Sequence, residues 1–241
     1  MGHSLCIDIG NTRGKIAVFK DDNLIFHDFR SRLSKKYIDG LLDEFDISSA
    51  IISSTKFRNT VFLKALKKVI PVIELSYETP IPITNLYSTP ETLGMDRIAA
   101  AVGAYTKDTK KAHLIIDAGS CMTLDVIDAD GNYLGGNISP GIHMRIKAMN
   151  DHTDKLPLVD IEYHEDIIGQ STVMALQNGA VRGTLFEIQA FTDHIKSQFK
   201  GINTILTGGD AEFLAKKLKS KILANPHVVL EGLNKILRHN A

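Results

Sequence analysis

The chain has 241 residues, 44% of them hydrophobic, and is long enough for one large domain or two domains of ordinary size. Its 28 basic and 28 acidic residues leave no formal net charge, which removes the electrostatic argument for nucleic acid or an anionic membrane as the main partner. No apolar run approaches the roughly 20 residues that span a bilayer, and the N-terminus has no signal-peptide pattern, so we expect a cytoplasmic protein. Cys6 and Cys121 do not make a disulfide framework, and we expect both to be reduced and buried.

The first elements predict a mixed sheet with helices packed on it. Three strands joined by short turns form an antiparallel meander, at residues 4–9, 14–19 and 23–28. Helical spacing of apolar residues then alternates with short apolar runs, which gives helices at 35–45 and 60–69 and strands at 50–52 and 72–75. Three prolines between 79 and 90 indicate an extended loop. The alanines from Ala99 to Ala104 predict a helix that starts near Thr92 and carries Gly94 to Arg97 on its first turn.

The second half restarts with the same kinds of element. Its predicted strands lie at residues 112–117, 122–128 and 131–138. A helix is expected from Gly141 through Met149, and a long helical stretch from Ile168 to Phe199 is interrupted by Gly179 and Gly183, so that it forms two helices or one closely packed helix. The remaining prediction is a strand at 203–206, a loop from Thr207 to Asp210, and helices at 211–218 and 230–238.

A weak internal repeat relates the two halves. A shift of 109 residues places Leu5, Ile7, Asp8, Gly10 and Asn23 on Leu114, Ile116, Asp117, Gly119 and Asn132. In each copy a glycine permits a tight turn after a buried strand, and backbone N–H groups and small polar side chains are then able to face an anion. Either loop alone is more typical of an ordinary hairpin turn. The two copies together predict a pair of phosphate-binding loops in two similar lobes, 1–108 and 109–241, and the last helix has the option of packing back on the first lobe.

The commoner nucleotide-binding and metal-binding motifs do not occur in the sequence. The run from Gly10 to Ile16 resembles a P-loop, but it is one residue short between its glycines and lacks Ser or Thr after Lys15. No Gly-x-Gly-x-x-Gly follows a strand, neither His-Glu-x-x-His nor Cys-x-x-Cys is found, and the nine histidines show no ligand spacing. The turn Thr207-Gly208-Gly209-Asp210, between a strand and a helix, allows a flat ligand to approach the backbone and predicts a nucleoside contact.

Five short motifs, in this order and spacing, together resemble the type III pantothenate kinase family. They are Asp8-x-Gly-Asn-Thr12, Gly94-x-Asp-Arg97, Asp117-x-Gly-Ser-x-x-Thr123, Gly135-Gly-x-Ile-x-Pro-Gly141 and Thr207-Gly-Gly209. The resemblance implies an α/β protein of the acetate and sugar kinase/actin-like superfamily, with two actin-like, ribonuclease H-like lobes. Each lobe is a mixed sheet with helices, and ATP lies in the cleft between them. It also implies a homodimer that uses ATP, Mg²⁺ and a monovalent cation, K⁺ or NH₄⁺, to convert pantothenate to 4′-phosphopantothenate, the first step of coenzyme A biosynthesis.

The same resemblance implies roles for individual residues. Asp96 is the catalytic base, and Asp117 holds the monovalent cation, although Asp117 is also able to mirror Asp8 and act through Mg²⁺. Asp8 serves Mg²⁺, directly or through water. The expected ATP-binding residues are Asp8, Ile9, Gly10, Asn11, Thr12, Arg13, Gly14, Lys15, Ser120, Thr123, Gly208 and Gly209. The expected substrate-binding residues are Tyr87, Gly94, Met95, Asp96, Arg97 and Thr172.

Plainer structural roles stay open for several of these residues. Lys15 is equally typical of a solvated strand residue, Thr172 of a helix N-cap, and Tyr87 of a loop residue packed on the core. Asp96 also fits a carboxylate that caps its helix or pairs with Arg97. One departure from the family pattern is Ser120-Cys121, where Thr-Ala is usual, and the serine keeps the hydroxyl. The alternatives at the level of function are a non-enzymatic regulatory relative and an actin-like ATPase. Retention of Asp96 argues against the first and the small size against the second.

Overall fold

A computed structural model describes residues 2–54, 61–218 and 222–241 of the chain. The elements, in chain order, are β1 (His3–Ile9), β2 (Gly14–Lys20), β3 (Asn23–Arg30), α1 (Lys35–Glu44), β4 (Ile47–Ser54), α2 (Val61–Leu66), β5 (Val72–Glu74), β6 (Thr84–Asn85), a 3-10 helix (Pro90–Thr92), α3 (Met95–Tyr105), β7 (His113–Ala118), β8 (Cys121–Ile127), β9 (Asn132–Pro140), α4 (Ile142–Asp151), α5 (Thr172–Gln198), β10 (Asn203–Thr207), α6 (Ala211–Ala215), β11 (Leu223–Ala224) and α7 (Val228–His239). Within the described ranges, none of these helices is long and apolar enough to cross a bilayer.

Contacts between Cα atoms divide the chain into two compact units. The first unit comprises Met1–Lys111, Ile127–Gly135 and His227–Ala241, and the second comprises Ala112–Val126 and Gly136–Pro226. The final helix α7 therefore belongs to the first unit, where it packs along α3 and against strand β1.

The sheet of the first unit has the strand order β3-β2-β1-β4-β5. Strands β1, β2 and β3 are antiparallel neighbours, as the meander prediction requires, and β4 and β5 add parallel strands beside β1. Alternate residues of a strand point to opposite faces. Leu5 and Ile7 accordingly join the core formed with α1 and α2, whereas α7 contacts β1, β2 and β4.

The second sheet has the order β11-β10-β7-β8-β9-β6, and β10 runs parallel to both β7 and β11. Its run β9-β8-β7-β10-β11 matches β3-β2-β1-β4-β5 of the first sheet strand for strand, so the weak sequence repeat corresponds to a repeated strand order. The core of the second unit is formed by Leu114 and Ile116 of β7 with apolar residues of α4, α5 and α6. The predicted class, an α/β protein with two mixed sheets, is confirmed.

Several predictions about single elements need correction. Residues 79–90 are not a loop throughout, because Thr84–Asn85 pairs with β9 as strand β6. The stretch 168–199 forms one helix, which begins only at Thr172, since Ser171 is its N-cap. The 3-10 helix precedes α3, so Gly94 is the N-cap of α3 and only Met95 to Arg97 lie in its first turn. Residue 60, predicted as the start of a helix, lies outside the described residues.

The two cysteines have different environments. Cys6 is fully buried in β1, as predicted, and burial raises the pKa of its thiol, which keeps it protonated and unreactive. Cys121 is a free, exposed thiol at the start of β8, so the prediction that it is buried was wrong. The strand begins at Cys121 itself, and the buried position next to it belongs to Met122.

Candidate active site

The hairpin between β1 and β2 forms the first predicted phosphate loop. Ile9 pairs with Gly14 in the antiparallel register, and the Gly10 N–H donates to the carbonyl of Arg13 over 3.1 Å, which closes the turn. Asn11, Thr12 and Arg13, the three residues between Gly10 and Gly14, are exposed. The turn therefore presents two small polar side chains and a guanidinium to solvent while its own backbone is bonded, an arrangement that suits an anionic ligand.

Asp8 and Lys15 are directly opposite each other in this hairpin. Nζ of Lys15 lies 3.8 Å from Oδ2 of Asp8, whose side chain is only 5% exposed. A buried carboxylate repels phosphate unless a cation is close to it, and Lys15 supplies such a charge from the neighbouring strand. Lys15 is consequently an ion-pair partner of Asp8, and the reading of it as a freely solvated strand residue was wrong.

A second group of predicted residues comes together at the start of α3. The guanidinium carbon of Arg97 lies 5.7 Å from the centre of the Tyr87 ring, within the range of a cation–π contact. Arg97 is only 6% exposed although it is charged. Tyr87 packs beside Tyr133, with ring centroids 6.3 Å apart, and is kept half-buried. A buried guanidinium beside a tyrosine offers a carboxylate-bearing substrate both charge and hydrogen-bond donors.

Asp96 is next to this pair and is oriented by its own helix. Its Oδ1 accepts the backbone N–H of Arg97 over 2.9 Å, which is the helix-capping contact that its sequence position allows. A Cβ on Gly94 would lie 2.5 Å from that same oxygen, so the glycine at the N-cap leaves room for the carboxylate in this orientation. The bond uses one oxygen of the carboxylate. Capping and proton acceptance are therefore compatible in this residue.

Three loops meet at the carboxyl ends of β7 and β10 in the second unit. The N–H of Gly141 donates to the carbonyl of Ser120 over 3.1 Å, and a Cβ on Gly141 would lie 2.1 Å from the carbonyl oxygen of Gly119. Gly208 has a φ of +96° and would place a Cβ 2.4 Å from the carbonyl of Ala118. Only glycine fits at these two positions, so the two glycine motifs are explained by the close approach of their backbones to the Asp-x-Gly loop.

The surroundings of Asp117 suit a cation. Thr207 is its partner in the parallel register of β7 and β10, so both side chains lie on one face of the sheet. The Thr207 side chain is fully buried, and in the part of the chain that the structure describes its Oγ1 has no hydrogen-bond partner. A Cβ on Gly208 would come within 2.5 Å of Oδ1 of Asp117. A carboxylate, a buried hydroxyl and closely packed backbone carbonyls are hard oxygen donors of the kind that alkali and alkaline-earth cations prefer.

The remaining predicted residues have simple positions. Thr172 is the first residue of α5 and is exposed, and the capping bond to Met174 N is accepted by Oγ of Ser171, so the N-cap reading of Thr172 was wrong. Thr123 is half-buried in β8, and Gly209 has open space around its Cα. The residues brought together are thus Asp8 with Lys15, Tyr87 with Arg97 and the adjacent Asp96, and Asp117 with Gly208, whereas Ser120 contacts Gly141.

Sequence reasoning missed two contributors to these groups. The sequence places Thr207 only in a turn and gives no sign that its hydroxyl is buried. It places Tyr133, which packs against Tyr87, only in a strand. Neither residue carried a local signal, because the burial of Thr207 depends on the pairing of β10 with β7 and the contact of Tyr133 depends on the pairing of β6 with β9.

Comparisons with known proteins identify the family of the chain. The family model described as type III pantothenate kinase matches residues 4–194. A type III pantothenate kinase of Phocaeicola vulgatus is 44% identical over 238 residues, covering 98% of both chains, and one of Flavobacterium johnsoniae is 39% identical over 237 residues, covering 98% of this chain and 97% of the relative.

Solved structures show the same fold. A Campylobacter jejuni protein assigned to the Baf family of transcriptional activators superimposes with a TM-score of 0.61 at 25% identity, covering 98% of both chains. A ROK family protein from Streptococcus pneumoniae in complex with sucrose gives a TM-score of 0.52 at 14% identity, covering 99% of both, and its likeness concerns the fold alone. With a matching family model over most of its length and relatives near 40% identity, this chain belongs to the type III pantothenate kinase family.

Proposed function

We propose that this protein transfers the γ-phosphoryl group of ATP to the primary hydroxyl of pantothenate. The observation that carries the proposal is the group formed by Tyr87, Asp96 and Arg97, which combines a cation for a carboxylate substrate with a carboxylate that can accept a proton. Phosphoryl transfer requires mainly alignment and neutralisation of charge, so a positioned base and fixed cations suffice for the protein's part.

In this proposal Asp96 accepts the proton of the attacking hydroxyl and Arg97 binds an anionic group of pantothenate. Tyr87, Gly94, Met95 and Thr172 complete the acceptor site. The hairpin from Asp8 to Lys15 binds the phosphates of ATP, with Ser120, Thr123, Gly208 and Gly209 as further contacts. Asp8 serves the divalent ion that accompanies ATP, directly or through water. When it is bound, that ion neutralises charge on the phosphoryl oxygens.

We further propose that Asp117 holds a monovalent cation, K⁺ or NH₄⁺, and that the Thr207 hydroxyl is a second oxygen ligand. The common register of these two residues supports this assignment. We also propose a homodimer, which is what the resemblance to the family implies. Sedimentation velocity measures the dimer directly. A cytoplasmic location is proposed because the reaction consumes ATP.

A coupled assay of ADP release, with and without pantothenate, tests the function. A kinase releases ADP only when pantothenate is present, whereas an idle ATPase releases it in both cases. A regulatory protein without catalysis, the reading favoured by the likeness to the Campylobacter jejuni protein, releases none. Either of the last two results contradicts the proposed reaction.

A further inference from the structure

The segment that precedes α5 leads directly to Thr172 and has no regular structure of its own. Residues 153–171, all of them described, form neither helix nor strand. We call residues 160–169 the lead segment. Because its backbone takes part in no ladder, its carbonyl groups accept hydrogen bonds from water or from donors elsewhere in the protein. The structure shows where many of these donors lie.

Three side chains of α5 bond to the lead segment. Nε2 of Gln177 donates to the carbonyl of Asp160 over 3.1 Å, and Oε1 of Gln177 is 2.7 Å from Nε2 of His164. Nδ2 of Asn178 donates to the carbonyls of Asp166 at 2.9 Å and Ile167 at 3.3 Å. Nη2 of Arg182 donates to the carbonyls of His164 and Glu165. Together these side chains reach five backbone carbonyls of the segment.

Gln177 and Asn178 are buried in a helix whose neighbouring residues contribute to an apolar core, whereas Arg182 is half-buried. Gln177 is 4% and Asn178 is 7% exposed, and their neighbours Ala180 and Val181 belong to the core cluster. Burial of an amide costs free energy unless it is hydrogen-bonded. Within the described chain Oδ1 of Asn178 has no hydrogen-bond partner. The side chain therefore donates two hydrogen bonds through Nδ2 while its buried carbonyl oxygen accepts none. Stability alone does not explain an asparagine at this position.

Two further sets of contacts hold the lead segment. The Tyr163 ring is 4.9 Å from the guanidinium carbon of Arg182 and 4.1 Å from Nζ of Lys217, both measured to the ring centre. Gly169 lies against the first turn of α5, where a Cβ would be 2.5 Å from the backbone nitrogen of Ala175. The path of the chain into Thr172 is thus determined by side chains that lie between about one and a half and three turns further along the same helix.

We infer that Gln177, Asn178 and Arg182 are positioning residues for the acceptor substrate, which hold the lead segment so that Thr172 and the first turn of α5 meet pantothenate. The inference rests on the proposed function and on the assignment of Thr172 to the acceptor site. None of the three residues is placed in contact with substrate. They act through the backbone that they hold.

The test compares Asn178→Leu and Arg182→Gln with the matched control Thr184→Val. Thr184 is on the same helix and 1% exposed, but among the described residues its hydroxyl bonds to the carbonyl of Ala180 within the helix and to nothing in the lead segment. We expect the two test variants to raise the apparent KM for pantothenate roughly tenfold, the effect of about one lost hydrogen bond. The KM for ATP stays unchanged, and hydrogen–deuterium exchange accelerates in residues 160–169. The control changes none of these quantities.

The conservative variant Arg182→Lys keeps a cation and hydrogen-bond donors, so its KM for pantothenate should lie between those of the wild type and Arg182→Gln. Arg182→Gln alone serves as the test if Asn178→Leu does not fold. Faster exchange in the lead segment with a wild-type pantothenate KM would overturn the inference, and so would equal changes in both KM values. Thr172→Val separates the two claims. If Thr172→Val leaves the pantothenate KM unchanged, the assignment of Thr172 fails, whereas if only Thr172→Val raises it, the positioning role fails.

Discussion

At the scale of single residues, the position of Asp96 gives a quantitative expectation. Asp96→Asn keeps the shape of the side chain and an oxygen for the Arg97 N–H, but it removes the basic carboxylate. General-base steps typically contribute about 10²-fold to 10⁴-fold, so kcat should fall by about that factor. Because a loose transition state gains limited help from early deprotonation, a value near the lower limit would mean that the carboxylate chiefly orients the hydroxyl.

Steady-state kinetics with calorimetric titration of ATP measures this effect. The variant should bind ATP as the wild type does and keep its melting temperature. A folded variant that binds both substrates and retains a kcat near that of the wild type would show that Asp96 only caps its helix.

The buried hydroxyl of Thr207 gives a second expectation, which concerns the cation. Thr207→Val removes one proposed oxygen ligand, so the K⁺ concentration needed for half-maximal thermal stabilisation should rise about tenfold, for a loss of roughly 1.4 kcal/mol. Thr204→Val is a matched control, because Thr204 lies in the same strand and its Oγ1 is also buried and lacks a partner among the described residues. Without K⁺, both variants should be at least as stable as the wild type, since each removes an unsatisfied polar group.

Melting curves in potassium and in sodium or Tris buffer, at matched ionic strength, measure the response without any turnover. Equal responses of the wild type and Thr207→Val would remove Thr207 from the cation site. A wild type that responds identically to all three buffers would contradict the cation assignment of Asp117 itself.

At this scale the sequence predicted the residues that lie in motifs but not their environments. Asp96 and Arg97 could be assigned to a helix start, because capping is a local property of the chain. The burial of Thr207 and the pairing of Lys15 with Asp8 depend on which strands are neighbours. The exposure of Cys121 depends on where β8 starts, within a residue, and patterns do not resolve strand ends so finely.

At the scale of elements, the crossing of α3 and α7 depends on two glycines. A Cβ on Gly103 would lie 2.1 Å from the carbonyl oxygen of Val228, and one on Gly232 would lie 1.7 Å from that of Ala99. The obstructing atoms are backbone, so the helices must separate to admit a methyl group. We expect Gly103→Ala and Gly232→Ala each to lower the free energy of unfolding by about 1–3 kcal/mol, as overpacking does.

Urea denaturation measures this loss, and Gly179→Ala is the control. Gly179 is an exposed residue of α5 with open space around its Cα, so there alanine should stabilise the protein by about 0.5–1 kcal/mol. If Gly103→Ala or Gly232→Ala lowered the free energy of unfolding no more than Gly179→Ala does, the proposed close approach of α3 and α7 would be contradicted.

The start of α7 predicts a pH dependence. The pKa of His227 is lowered mainly by desolvation and, as the second cause, by the nearby imidazole of His27. The centroids of the two rings are 4.5 Å apart. A histidine with a lowered pKa in the folded state binds its proton more readily when unfolded. The contribution of His227 to the free energy of unfolding is therefore fully present above the pKa of the unfolded-state histidine, about 6.5. It decreases as the pH falls below that value, until the histidine of the folded state is protonated as well.

His27→Gln removes the imidazole that lowers the pKa of His227, so the pKa of His227 should rise and the loss of stability in acid should become smaller. NMR titration of the His227 ring together with melting temperatures between pH 5 and 8 measures both quantities. A variant with an unchanged His227 titration would show that the two rings are not coupled.

At the scale of the whole molecule, the repeated strand order is what the sequence predicted best. Local apolar runs predict buried strands such as β1 and β7, and the Asp-x-Gly turn that follows both indicates that the two strands are equivalent. The two-residue strands β6 and β11 were missed because they exist only through pairing with β9 and β10. The single helix α5 was ambiguous since the cost of Gly179 and Gly183 is small beside the packing of a 27-residue helix.

The most direct test of the proposed activity is ³¹P NMR of the reaction of this protein with ATP, Mg²⁺ and pantothenate in potassium buffer. We predict a new phosphomonoester signal, coupled to the methylene protons beside the former primary hydroxyl, that grows in equal amount with ADP. Formation of inorganic phosphate in place of this ester, or persistence of ATP in the presence of pantothenate, would contradict the proposal that this chain is a pantothenate kinase.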